Sequence, residues 1–377
     1  MRWGERMGSV LLNCLKRYGA SSTAFFACLL MASVCHASAI QLPKTWQTKC
    51  YNTFGREITC GGTGQDGDTQ AGVAWPVPRF VDNSNGTVKD RLTGLVWMRT
   101  VRTPTVDICK GGAMLWTEAF SYIECLNNIS YGGITDWRMP NVNEMRSISK
   151  QIPEGDIFIA VNPLNNYWTS TTWARDPDYA LAPKDVLLKV YYKKVLPVSG
   201  GSDGVIALPK TNQTRSFAPR DDGELQIGVA WPSPRFTDNA DGTATDNLTG
   251  LIWTKDAATP TPAACGSLKF RTWQAALNLV KCLNANNYLG KSTWRLPNIV
   301  ELESLLDFSQ FRPCLPQGHP FSGVKPLEYW SSSTDVHLDA GEETASKYYA
   351  LAVNMMTCNF QDADKDNEFP VWPVSSQ

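Results

Sequence analysis

Apolar and polar positions follow one plan along the chain, and the plan is written twice. In 116–129 (WTEAFSYIECLNNI), Trp116, Phe120, Ile123 and Asn127 step at helical spacing. Trp273, Leu277, Val280 and Leu283 do the same in 273–286 (WQAALNLVKCLNAN), so a helix is predicted in each place. Upstream of each helix, Pro-Arg-Phe and Asp-Asn lead to Gly86 or Gly242. That order predicts strand, tight turn and strand, because Asn-Gly and Asp-Gly supply the positive φ a hairpin needs. Downstream, Asn141 with Glu144 and Asn298 with Glu301 have capping-box spacing and predict the start of a second helix. The last third of each half carries β-type runs: Tyr167–Thr171, Val186–Val195 and Tyr348–Met355. The class is α+β, two helices against a small, loop-rich antiparallel sheet in each half.

Direct comparison makes the duplication explicit. Residues 72–99 (GVAWPVPRFVDNSNGTVKDRLTGLVWMR) and 228–255 (GVAWPSPRFTDNADGTATDNLTGLIWTK) share 18 of 28 positions. YGGITDWRMPNVNE (131–144) matches YLGKSTWRLPNIVE (288–301), and LPKTWQT (42–48) matches LPKTNQT (208–214). The expected organisation is a signal peptide over 1–39, one unit over 40–206 and a second over 207–377. Length agrees, since 377 residues suit two ordinary domains better than one.

The N-terminus adds a compartment. Lys16 and Arg17 precede an apolar run, Ala24–Val34, and Ala37-Ser38-Ala39 fits a cleavage site. The run is too short to span a bilayer and no other stretch approaches that length. An exported protein is expected, periplasmic, secreted or at the cell surface, with no integral membrane segment after cleavage. Residues 1–39 carry a net +3 of the chain's −1, leaving −4 for the remainder. That balance argues against nucleic acid as a partner.

Three cysteines fall in the leader and eight remain, an even number that suggests disulfides in an exported chain. Cys109 and Cys125 occupy the places of Cys265 and Cys282, so each pair most simply closes within its own unit. Cys50 and Cys60 flank an insertion private to the first unit, which pairs them and leaves Cys314 with Cys358.

Candidate chemistry is sparse. Asp82–Thr87 and Asp238–Thr243, with Asp90 and Asp246, invite a calcium reading. Ser84 or Ala240 stands where a ligand is wanted, however, and each glycine comes one residue early. A hairpin explains the segments; calcium is the alternative, and no other metal or cofactor is expected. Gly200–Gly204 spells G-x-S-x-G but lies in the joint between units, not on a strand–helix elbow. Histidine is represented after residue 39 by His319 and His337, both in the second unit, so no Ser/His or Cys/His arrangement is shared by the units. No catalytic residue is assigned. Tyr167-Trp168 and Tyr329-Trp330 precede Ser/Thr runs and could present rings to a ligand, although a buried stripe explains them as well. Lys184, Lys189, Lys193 and Lys194 surround Tyr191-Tyr192 and could meet an anionic glycan, although a solvated strand face is the plainer account.

The motifs RFTDNADGTATDNLTGLIWTKDA (235–257), TWQAALNLVKCLN (272–284), TWRLPNIVELESLLDFS (293–309), EYWSSST (328–334) and VWPV (371–374) resemble the Lcl C-terminal domain family. Both units resemble it over nearly their whole length, the second more closely. The resemblance implies a C-type-lectin-like fold, shared with formylglycine-generating proteins and with the hypervariable proteins of diversity-generating retroelements. It implies an adhesin-like role, since the family's named adhesin binds sulfated glycosaminoglycans. The copper-binding cysteine pair of the catalytic relatives is missing here. So are the calcium-dependent sugar motifs of animal lectins, of which Asp176-Pro177-Asp178 is a faint echo. The function expected is a non-enzymatic binding protein for an extracellular glycan or surface protein. An envelope assembly module is second, and an enzyme related to formylglycine-generating proteins third.

Overall fold

The computed structural model describes residues 39–149, 166–336 and 345–376. The expected signal peptide lies outside them, apart from its last residue. Residues Ile40–Gln377 form one compact unit.

In the first copy the chain runs through β1 (Cys50–Tyr51), β2 (Glu57–Ile58) and α1 (Asp66–Thr69), then β3 (Phe80–Asp82), β4 (Thr87–Asp90) and β5 (Leu95–Met98). Helices α2 (Trp116–Asn128) and α3 (Val142–Ser149) follow, then β6 (Tyr179–Leu181), β7 (Val186–Leu188) and β8 (Val198–Gly200). The second copy repeats this as α4 (Asp222–Leu225), β9 (Phe236–Asp238), β10 (Thr243–Asp246), β11 (Ile252–Thr254), α5 (Trp273–Ala285) and α6 (Ile299–Glu303). It closes with β12 (Glu328–Thr334), β13 (Tyr349–Asn354), β14 (Asn359–Asp364) and β15 (Val374–Ser375).

Each copy has a four-stranded antiparallel sheet, ordered β3-β4-β5-β8 in one and β9-β10-β11-β15 in the other. The expected turns join β3 to β4 and β9 to β10. Gly86 and Gly242 adopt φ of 84° and 87° there, the left-handed region that glycine enters without a Cβ penalty. Both capping boxes form: Glu144 N–H donates to Asn141 Oδ1 and Asn141 N–H to Glu144 Oε2, with the same pair of bonds at Asn298 and Glu301. Four disulfides join Cys50 to Cys60, Cys109 to Cys125, Cys265 to Cys282 and Cys314 to Cys358. The β-type runs are shorter than expected. Val186–Val195 is a strand only to Leu188, and Tyr167–Thr171 makes an isolated bridge where the second copy has the full strand β12.

The main apolar core runs through both copies, from Phe80, Trp97 and Trp116 to Trp253, Phe308 and Trp372. Arg146 of α3 reaches the second copy, donating to the Cys358 carbonyl at 2.9 Å and lying over Phe308. Lys184 pairs with Asp362, and Trp173 meets Phe311 edge-on at 5.7 Å.

Two arms complete the packing, and they set the repeat boundary in a new light. Residues 40–75 dock on the second copy, where Ile40 N–H donates to the Leu248 carbonyl and Asn298 Nδ2 to the Ala71 carbonyl. Residues 207–231 dock on the first copy, with Asn141 Nδ2 donating to the Ile227 carbonyl. The first body therefore takes the arm that follows it in sequence, and residues 40–75 take the matching place on the second body. The repeat boundary at 206/207 marks where the sequence starts over, not where one packed body ends.

Candidate ligand-binding surfaces

The structure corrects the reading of Tyr167, Trp168, Tyr329 and Trp330 as presented rings. All four are buried, at most 2% exposed, and their polar tips are used inside the protein. Tyr167 donates its hydroxyl to the Val101 carbonyl, and Trp168 Nε1 donates to the Met114 carbonyl. Trp330 Nε1 donates to the Arg271 carbonyl, while the Tyr329 hydroxyl accepts from Lys325 N–H. Burial pushes the Tyr167 phenol up to about 12 and raises that of Tyr329 as well. The hydroxyl runs after the rings are buried too, because they are the seats of the arms. Thr171 and Thr211 both donate to Asp222 Oδ2, at 2.7 and 2.6 Å. Ser333 and Thr45 donate to Asp66 Oδ2 in the same way, at 2.5 and 2.6 Å. Gln213 exchanges bonds with the Thr172 backbone, as Gln47 does with that of Thr334.

Lys189 belongs to the same seat. Its ammonium lies 3.8 Å from the Trp116 ring centre and 5.2 Å from that of Phe217 on the arm, and it donates to Thr172 Oγ1. The counterpart Lys365 lies 4.3 Å over Trp273 and donates to the Asn52 and Lys347 carbonyls. Burial lowers Lys189 to about 8 and Lys365 to about 7. Lys193 and Lys194 are half-buried, and their backbones bond Met114 and Asn166. The surface of this region is made instead by Val190, Tyr191 and Tyr192, exposed at 69%, 50% and 65%.

The recurring carboxylates are structural. Asp90 and Asp246 are buried and each receives a forked pair of bonds from Arg79 or Arg235. The turn residues proposed for calcium bond within their turns: Asp82 Oδ1 accepts Ser84 N–H and Asn85 Oδ1 accepts Thr87, while Asp82 also pairs with Arg99. Among the described residues no group of three or more His, Cys, Asp or Glu converges as a metal shell.

Two concavities border the arms. A small one of about 90 Å³ lies where the arms pass each other, between Trp75 and Trp231. The larger, about 610 Å³, is a cleft of mixed polar and apolar lining between the first copy and its arm, with Leu95, Leu208, Leu225 and Val229 among its apolar walls. Asp136, Arg138 and Glu144 line one side, Gly200–Ser202 another, and Arg220 and Gly228 the arm side. Arg138 is 6% exposed, and its Nη2 bonds Glu144 at 2.6 Å and the Gly200 carbonyl at 3.1 Å. Its Nη1 is buried with no hydrogen-bond partner in the protein. The counterpart Arg295 instead uses both terminal nitrogens on Glu301, at 2.5 and 2.6 Å. Sequence reasoning missed this cleft, because Arg138 and Arg295 are identical residues in matched motifs and differ only in what their neighbours leave open.

The Lcl C-terminal domain model matches residues 86–205 and 242–375. The chain belongs to the Lcl C-terminal domain family. No curated protein and no solved structure matches it. Both Lcl C-terminal domain matches begin inside the first hairpin, so the arms lie outside them although the arms repeat with the rest. Four disulfides fit the oxidising, extracytoplasmic setting of the family. Among the described residues no helix is long and apolar enough to cross a membrane.

Proposed function

We propose that this protein is an exported, adhesin-like binding protein without catalytic activity, built of two C-type-lectin-like units, and that it recognises a glycan in the cleft beside Arg138. The observation that carries this reading is the cleft itself, large enough for a saccharide, with the side chains of Asp136, Arg138, Glu144 and Arg220 in its wall. Asp136, Glu144, Ser202 and Arg220 line the same cleft, and carboxylates, hydroxyls and guanidiniums suit a hydroxyl-rich ligand. Against catalysis stands the use already made of the buried carboxylates: Asp90 and Asp246 hold arginines, Asp66 and Asp222 hold arms.

The test is a glycan array probed with the purified protein, with and without calcium. A glycan whose binding is lost in Arg138→Leu, and weakened in the rim variants Ser202→Val and Arg220→Ala, supports the reading. An array without hits, or hits untouched by all three variants, overturns it.

A further inference from the structure

The two copies serve as controls for each other. β7 and β14 are the outer strands of equivalent hairpins, Leu188 standing opposite Tyr179 as Asp364 stands opposite Tyr349. Each strand runs into a lysine whose carbonyl accepts the first N–H of a helix, Trp116 to Lys189 and Trp273 to Lys365. Four residues on, the Met114–Lys193 bridge matches the Arg271–Phe369 bridge. This register equates Val186, Leu188, Val190 and Tyr192 with Asp362, Asp364, Asp366 and Glu368. One position set is wholly apolar in the first copy and wholly acidic in the second, on the same backbone frame.

The difference is greatest at the tip. Val190, Tyr191 and Tyr192 are three consecutive large apolar residues, each at least half exposed, where the second copy has Asp366, Asn367 and Glu368. Ile108, 73% exposed, shares a depression with Lys110, with Met114, the residue bridged to Lys193, and with Glu118, whose carboxylate is held by Leu115 N–H. Among the described residues Lys110, Lys193 and Lys194 enter no ion pair. Side chains this exposed project outward and enclose no ligand, which disfavours a saccharide here. The aliphatic tip, two tyrosines and following lysines have the make-up of a membrane-interface contact: rings at headgroup level, apolar tips below, cations on anionic phosphates. The second copy exposes Leu268 and Phe270 at its matching end, but its turn carries Asp366 and Glu368, which such a surface repels.

We propose that the Val190–Lys194 turn of the first copy docks the protein on an anionic lipid surface. The contact is independent of the Arg138 cleft. It predicts binding that needs negative lipid and weakens with salt, since exposed charges are screened over about 8 Å at physiological ionic strength.

Co-sedimentation of the purified protein with phosphatidylcholine vesicles, with and without phosphatidylglycerol, tests it. Binding to the mixed vesicles only is expected. The triple variant Val190→Asp, Tyr191→Asn, Tyr192→Glu should abolish it while leaving thermal unfolding unchanged, because the second copy already carries that turn on this frame. Lys193→Gln and Lys194→Gln should each weaken it about fivefold. Arg220→Ala should leave it intact, so failure here is separable from failure of the glycan reading. Absence of vesicle binding, equal binding to neutral vesicles, or full binding by the triple variant overturns the proposal. Capture of a protein partner that the triple variant loses, with no vesicle binding, would make the turn a protein-docking surface instead.

Discussion

Asp66 and Asp222, matched positions of the two copies, hold the two arms by the same pair of bonds. Each carboxylate accepts one hydroxyl from its own arm, Thr45 or Thr211, and one from the body the arm covers, Ser333 or Thr171. Both are buried, and the second oxygen of each has no hydrogen-bond partner. One aspartate is tied to a strand of the same chain 267 residues away, the other to a segment 51 residues away.

These carboxyls predict a pH dependence. Burial raises Asp66 to about 6 and Asp222 to about 7, against the hydroxyl donors that lower them, and Glu301 and Glu144 push in the same direction as burial. Both folded values lie above the ordinary 3.8. The native state therefore holds more protons than the unfolded chain in between, and this contribution, full below about pH 4, is lost as pH rises through about 6 and 7. Melting wild type and Asp66→Asn/Asp222→Asn side by side should show the wild type losing stability relative to the variant across that interval. A constant difference would refute it.

Removing residues 40–75 should damage the second copy, not the first. Deletion strips partners from Ser333, the Thr334 backbone and Asn298, each a buried group whose lost bond costs about 1–3 kcal/mol. The expected result is a low-temperature unfolding step that disappears when the 40–75 segment is supplied as a separate peptide. A truncated protein that melts like wild type would show that the arm is dispensable.

Trp168→Phe and Trp330→Phe should each destabilise by about 1–3 kcal/mol, because the Met114 and Arg271 carbonyls lose a buried donor. Denaturant titration measures the loss. Glycan binding per folded molecule should not change, since neither ring reaches the surface; a selective loss of binding with stability intact would restore these rings as ligand contacts.

Among the disulfides, replacing Cys314 and Cys358 by serine should cost most. The pair closes 44 residues, against 17, 16 and 10 for the others. Chain entropy gives about 4 kcal/mol for the longest loop and about 3 for the shortest. Denaturant midpoints of the four double variants check the ranking.

Much of the frame was legible. The hairpins at Gly86 and Gly242, the helices opening on Trp116 and Trp273, the capping boxes and the four disulfides follow from local chemistry and from reading one copy against the other. The site was less so. Alternation marks Tyr167-Trp168 and Tyr329-Trp330 as strand residues without saying whether solvent or an arm covers the hydroxyls beyond them. The destination of an arm is also hidden, because LPKTWQT and LPKTNQT carry nearly the same donors and either could seat on either body. Only the connection in space shows that the second arm serves the body preceding it and that the first arm passes over to the last body. The Val190–Tyr192 contrast with Asp366–Glu368 was present in the letters. Its alignment follows from the match of Val195–Val198 with Val371–Val374, and the bridges at Lys193 and Phe369 keep the same register.

The first arm closes the molecule into a ring. Its bonds to Ser333 and Thr334 join the start of the described chain to a strand near its end. A polypeptide emerging N-terminus first can complete that arm's seat only once β12 has been made. Any shortened product ending before β12 therefore leaves the Asp66 carboxylate and the Gln47 amide without their partners.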